Sequence, residues 1–195
     1  MLNLHRPLKT AGFDALLSRT AKYLRAIICF SLLLFVALFF IQADSHTQRR
    51  ISRIAFGSCL MPERPHTILK TIVGVNPDLF VFTGDNIYAD THNPRVMRRK
   101  YRHLAKSRSF QELLQTSPVL ATWDDHDYGW NDSGADYPMK IESEEIFENF
   151  WNISADSEVR TRPGVYDAQA FGPDGNTVQV ILLALQRYFA PRINL

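Results

Sequence analysis

The chain has 195 residues, enough for one medium-sized domain with a proper core. Hydrophobic residues make up 46% and charged residues 22%, an ordinary globular composition, and two cysteines exclude a disulfide framework. The net charge of +2 is uneven: residues 1–50 hold seven Lys/Arg against two Asp, and residues 51–195 hold fifteen against eighteen Asp/Glu. The body is therefore mildly acidic, and nothing global points to a nucleic-acid partner.

In chain order, the first feature is the apolar run Ala26 to Ile41, preceded by Arg6, Lys9, Arg19, Lys22 and Arg25 and followed by Gln42-Ala43-Asp44. That is the layout of a secretory signal, and residues 1–43 read as a signal peptide or an uncleaved signal-anchor. The run is close to the shortest that spans a bilayer. Either way the positive residues stay inside and the body is exported, to a periplasmic or extracellular space or to the outer face of the membrane. An uncleaved segment would tether the chain to a membrane through residues 26–41. Residues 44–50 read as a linker. Beyond it Cys59 stands alone, and composition by itself reads it as a small buried hydrophobe, with a reactive thiol or a metal ligand as the alternatives.

The body, residues 51–195, alternates strands and helices. Arg53 to Gly57 reads as a strand ending in Gly57-Ser58-Cys59. Pro65 to Val75 has helical spacing through Ile68, Leu69, Ile72 and Val73. Leu79 to Thr83 is continuously apolar, as parallel strands are, and runs into Gly84-Asp85-Asn86-Ile87-Tyr88-Ala89-Asp90. Pro94 to Gln115 reads as a long helix and a short second one, with Val96, Met97, Tyr101, Leu104, Phe110, Leu113 and Leu114 on one side. Its basic residues, from Arg95 to Arg108, read as a solvated face, with a face toward an anionic substrate or a membrane surface as the other reading. Pro118 to Trp123 is a third strand. Ser143 to Trp151 reads as an amphipathic helix, with Ile146, Phe147, Phe150 and Trp151 inside and Glu142, Glu144, Glu145 and Glu148 in water. Val165–Phe171 and Thr177–Leu183 read as a hairpin turning at Asp174-Gly175. This order predicts an α/β sheet with right-handed crossovers, whose ligand site lies outside the carboxyl ends of the strands.

All three of those ends are polar. The third carries Asp124-Asp125-His126-Asp127, three carboxylates and an imidazole that resist burial together unless cations compensate them. Asp oxygens and His nitrogens are metal ligands, so the run predicts a metal site, with His126 as ligand or as acid for a leaving group. A solvated acidic loop is the plainer reading, and the flanking Trp123 and Tyr128 argue against it. Asn131 and Asp132 are further oxygen donors, or turn caps. At the second end Gly84 lets the backbone turn and present Asp85, a ligand or a turn cap. Tyr88 is three residues on. Taken alone it reads as a core aromatic, although a Tyr oxygen is a hard anionic ligand once a trivalent metal lowers its pKa. Asn131-Asp-Ser133 and Asn152-Ile-Ser154 fit a glycosylation pattern. A Walker loop, a His-Glu-x-x-His and a Gly-x-Ser-x-Gly are all missing from the sequence, so those chemistries lack support.

In order, Phe56-Gly-Ser-Cys59, Gly84-Asp-Asn-Ile-Tyr-Ala-Asp90 and Thr122-Trp-Asp-Asp-His-Asp-Tyr-Gly129 with Asn131-Asp132 closely resemble the PhoD-like alkaline phosphatases of the calcineurin-like metallophosphoesterase superfamily. The resemblance runs from about Arg53 to Leu183. It implies a β-sandwich flanked by helices and an exported hydrolase of phosphomonoesters or phosphodiesters. The implied centre is multinuclear, iron with calcium, and a metal-activated hydroxide attacks phosphorus in line. By motif, Cys59 and Tyr88 would bind the iron-like metal, Asp85 would bridge, Asp125 would bind the second metal, and His126 would assist the leaving group. Asp124, Asp127 and Asn131 would be additional metal or substrate contacts. The resemblance reverses the plain readings of Cys59 and Tyr88. The expected partner is a small phosphate ester, with no nucleic acid beyond a phosphodiester substrate. The family continues past the segment that here reads Leu183 to Ala190, and its later part supplies further His and Asp ligands. The fold is therefore expected to be incomplete at the C-terminus. The alternatives are an inactive, membrane-tethered truncated remnant and a binding module using the basic helix.

Overall fold

The computed structural model describes residues 50–61 and 63–188, together with Ile28. The chain divides into two compact units, Met1–His46 and Thr47–Leu195, and every element below belongs to the second. The expected signal or anchor segment lies outside the described residues, Ile28 excepted. Among the described residues no helix is long and apolar enough to cross a membrane.

Three strands, β1 (Ile54–Gly57), β2 (Leu79–Thr83) and β3 (Val119–Thr122), form a parallel sheet in the order β1-β2-β3. The central strand is buried from Leu79 to Phe82, which is what its unbroken apolar run requires. Gly57 pairs with Phe82, and Thr83 with Thr122. That register brings the three carboxyl ends nearly level, so residues 58–59, 84–88 and 123–127 emerge side by side.

The crossovers are helical. Helix α1 (Thr67–Val75) joins β1 to β2, and α2 (Pro94–Ala105) with α3 (Arg108–Thr116) joins β2 to β3. The Asn93 side chain caps α2 by accepting from Arg95 N at 2.9 Å, and Pro94 sits where its missing N–H costs nothing. Ser107 breaks the long helical pattern by capping α3. Met97, Tyr101, Leu104, Phe110 and Leu113 are buried, whereas Leu114 is exposed. Arg95, Arg98, Arg99, Arg102, Lys106 and Arg108 are exposed, the solvated face expected of them. Lys100 pairs with Glu63.

Strands β4 (Asp167–Phe171) and β5 (Val178–Leu182) form the antiparallel hairpin. Its turn needs Gly172, at φ +101°, where a Cβ would meet Asn176 O at 2.4 Å. Phe171, Leu182 and Val180 pack on Leu79, Val81, Leu120 and Ile51. The hairpin thus makes the second layer of a β-sandwich, and helices cover the other face of the parallel sheet, where the larger apolar cluster lies. The fold is α/β, with a β-sandwich flanked by helices. Ile54 and Phe56, register partners of Leu79 and Val81 on the edge strand, remain exposed, Phe56 by 74%.

Two helices follow β3. The first, α4 (Asp125–Tyr128), is a single turn, and the second is α5 (Lys140–Phe150). Trp123 and Tyr128 pack ring to ring at 5.1 Å, and Phe147 meets Trp123 at 5.6 Å, which fixes α4 and α5 against the end of β3. The expectation that all four glutamates of α5 face water is corrected. Glu148 is buried and pairs with Arg160 at 3.1 Å, and Glu144 is half-buried and pairs with Arg187. Both arginines come from segments that fold back over the helix, so a charge on its inner side is matched rather than hydrated. Phe150 and Trp151 are half-buried.

Candidate metal centre

Gly84 makes the site possible. Its φ of +115° is open to glycine, and a Cβ there would lie 2.6 Å from Asp124 Cβ and 2.9 Å from Asp124 N. The loop after β2 therefore presses directly on the loop after β3. The loop after β1 is stitched to it by Leu60 N donating to Asp85 O at 2.8 Å and Cys59 N to Gly84 O at 3.3 Å. Cys59, Asp85 and Asp90 all take positive φ, at 60°, 52° and 42°. Left-handed backbone at three non-glycine residues of one site is strain held in place by the surrounding loops.

At this junction Asp85, Asp125 and His126 each bring a ligand atom within 4.8 Å of the others. Asp85 is buried, and its Oδ1 takes no hydrogen bond, while Oδ2 meets the Cys59 thiol at 3.6 Å. Burial raises the Asp85 carboxyl above the usual range; His126 pulls it back, and the charges of Asp124 and Asp125 push it up again. A buried carboxylate oxygen with no donor is the environment a cation satisfies, and the neighbouring Asn86 Oδ1 is likewise buried and unpartnered. These donors fit a metal ion.

His126 is oriented from behind, its Nδ1 lying 2.7 Å from Asp90 Oδ1. Burial opposes charge on the ring, but the Asp90 hydrogen bond and the charges of Asp90, Asp85 and Asp125 outweigh it and raise the imidazole above its ordinary value. The Tyr88 ring packs on His126 at 4.3 Å. Burial first, then the neighbouring Cys59 and the charge of Asp85, holds the Tyr88 hydroxyl well above the usual phenol range. The structure therefore gathers Cys59, Asp85, Tyr88, Asp125 and His126. Cys59 is exposed, so the buried-thiol reading is set aside.

The remaining predicted residues are placed otherwise. Asp127 is fully buried and faces inward. Its Oδ2 accepts from Asn86 N, Asn86 Nδ2 and Asp124 N at 3.0–3.2 Å, and its Oδ1 from Ile87 N at 3.0 Å and Tyr101 Oη at 3.3 Å. Burial pushes its carboxyl up to about 7, with the amides of Asn86, Asp124 and Ile87 pulling the other way. Asp127 thus ties the β2 loop to α4 and lies outside the ligand cluster. Asp124 is exposed and caps α4, accepting from Asp125 N at 3.0 Å and from Gln186 Nε2. Asn131 is exposed and donates to Asp132 Oδ2 at 2.8 Å. The sequence reading gave no role to Asp90, although a histidine meant to carry a proton calls for a carboxylate partner, and Asp90 closes the same loop that holds Asp85. Gln186 carries no such signal.

A parallel sheet with an acidic and imidazole cluster at its carboxyl ends defines an α/β protein with a candidate metal centre. Neither a family model nor a curated protein matches the sequence. Among solved structures, "Structure of PhoD" matches with a TM-score of 0.56 and 18% identity, over 75% of this chain and 34% of that one. The chain spans about a third of the length of that protein, and the likeness is one of fold.

Proposed function

We propose that this chain is an exported, metal-dependent phosphoric-ester hydrolase acting on a phosphomonoester or phosphodiester. The observation that carries it is the convergence of Asp85, Asp125 and His126 within 4.8 Å, with Asp85 Oδ1 buried and unpartnered. The sequence motifs and the fold likeness support the same reading. Export rests on the apolar run after a basic segment, residues 1–43, with residues 44–50 as linker and the run itself as a membrane tether where it is not cleaved.

Asp85 and Asp125 would hold the metal ions, and Cys59 and Tyr88 would add donors from the first and second strand ends. A thiolate and a phenolate beside carboxylates suit iron, with calcium as the harder companion. Metal ions held there would supply positive charge for the phosphoryl oxygens and would lower the pKa of an attacking water. With Nδ1 engaged by Asp90, the His126 nitrogen left for a metal or for the leaving oxygen is Nε2. The test is metal content by mass spectrometry with turnover of an aryl phosphate by the purified chain. Retained iron and turnover, both lost in Asp85→Ala, are expected. A metal-free chain without turnover would overturn the reading in favour of an inactive protein.

A further inference from the structure

Beside the cluster an aromatic stack runs outward from the core, starting at the buried Tyr137. His92 lies flat on Trp130, with centroids 5.6 Å apart and planes at 6°, and Tyr137 stacks on His92 in turn at 5.3 Å. Trp130 is nevertheless 49% exposed. His92 covers one face of the ring, and the residue still stays half in water.

The stack is built onto the candidate ligands. Trp130 sits in a tight turn closed by its own N–H to Ser133 Oγ at 3.0 Å and by Ser133 N to Trp130 O at 2.8 Å. The same turn is anchored by Asp132 N donating to Asp125 Oδ2 at 2.5 Å. His92 lies two residues beyond Asp90, the partner of His126. Thr91 N donates to Gly129 O at 3.3 Å and Tyr137 Oη to Thr91 O at 2.5 Å, which locks the two loops together. The Tyr137 ring lies so close over Gly129 that a Cβ there would be 2.5 Å from it. A rigid tryptophan held half in water next to a reaction centre is a surface for another flat ring.

We propose that the open face of Trp130 is a stacking platform for a planar aromatic group on the alcohol side of the phosphoester, so that the site takes aryl or nucleoside phosphoesters in preference to alkyl ones. The proposal rests on the hydrolase reading. Its test is calorimetric binding of methylphosphonate, phenylphosphonate and a nucleoside 5′-phosphonate to the full chain incubated with iron and calcium salts. Phenyl or nucleoside phosphonate is expected to bind about ten-fold more tightly than methylphosphonate, and the arm with the larger gain separates the two sources of the ring. Trp130→Ala should abolish the difference and leave methylphosphonate unchanged, and Trp130→Phe should restore most of it. If all three bind equally and Trp130→Ala changes nothing, the platform is overturned while the hydrolase reading stands. If none binds, both fall together.

Discussion

Gly84→Ala tests the junction on which the whole site depends. The added Cβ would stand 2.6 Å from Asp124 Cβ and 2.9 Å from Asp124 N, where carbon needs about 3.5 Å, so one loop must give by nearly 1 Å. A φ of +115° adds a backbone penalty of about 1–3 kcal/mol for any side chain, and overpacking adds about as much. The sum, about 2–6 kcal/mol, is a large part of the total stability of a domain this size. The midpoint of urea unfolding should fall by about 2 M for an ordinary denaturant slope. Because the displaced atoms belong to the residues flanking Asp85 and Asp125, any folded variant should also lose metal retention, since ligand placement tolerates only about 0.5 Å. Gly175→Ala, which adds the same Cβ at a φ of +79° with nothing within 4 Å, is the control. If Gly84→Ala unfolds within 1 kcal/mol of the parent and retains metal, the claim that close approach of these loops builds the site is wrong.

Asp85→Asn should stabilise the metal-free chain by about 1 kcal/mol in urea titration, because it removes a buried charge with an unpartnered oxygen, while abolishing metal retention. Unchanged metal content would remove Asp85 from the ligand set. Asp127→Ala should cost about 3 kcal/mol at pH 7, since it strands the buried amides of Asn86 and Ile87; a loss below 1 kcal/mol would refute the structural role given to it. With a native pKa near 7 against about 3.9 unfolded, the folded chain binds the extra proton, so the proton-linked part of Asp127's contribution is fully present below about pH 4 and is lost as pH rises to 7, whereas its hydrogen bonds to the amides remain. Urea midpoints across that range should fall with pH more steeply in the parent than in Asp127→Asn. Asp90→Asn should lower the pKa of His126, read by nuclear magnetic resonance titration of the ring, with little effect on the urea midpoint because the pair is partly exposed.

Much of the scaffold was legible because the sequence patterns are local. Leu79 to Phe82 is apolar at every position, and a strand buried on both faces must be. Asp174-Gly175 marks the hairpin, and the pairing of Phe171 with Val178 follows from it. The inner side of α5 was not legible. Glu148 and Glu144 are matched by Arg160 and Arg187, twelve and forty-three residues further on, and no local pattern announces those returns. The convergence of the candidate site was legible from level parallel strand ends, whereas the division of labour inside the acidic run was not.

That division comes from one turn of helix. A strand continuing past Thr122 would have alternated the four polar residues between its two faces; the turn Asp125–Tyr128 instead sends Asp127 inward and leaves Asp125 and His126 toward the loops of β1 and β2. The signal was present in the spacing, since Asp124 and Asp127 are three apart and each side chain caps the other's backbone. Burial of a carboxylate demands compensation, and the structure meets that demand in two ways. Asp127 has five protein donors on its two oxygens, and what they leave uncompensated is met by a carboxyl that burial holds near 7. Asp85 has a thiol on one oxygen and no donor on the other, although it too is buried. Only the second carboxylate creates a place for a cation, and this contrast between two buried aspartates, rather than the number of acids in the run, is the physical argument for a metal centre at the strand ends.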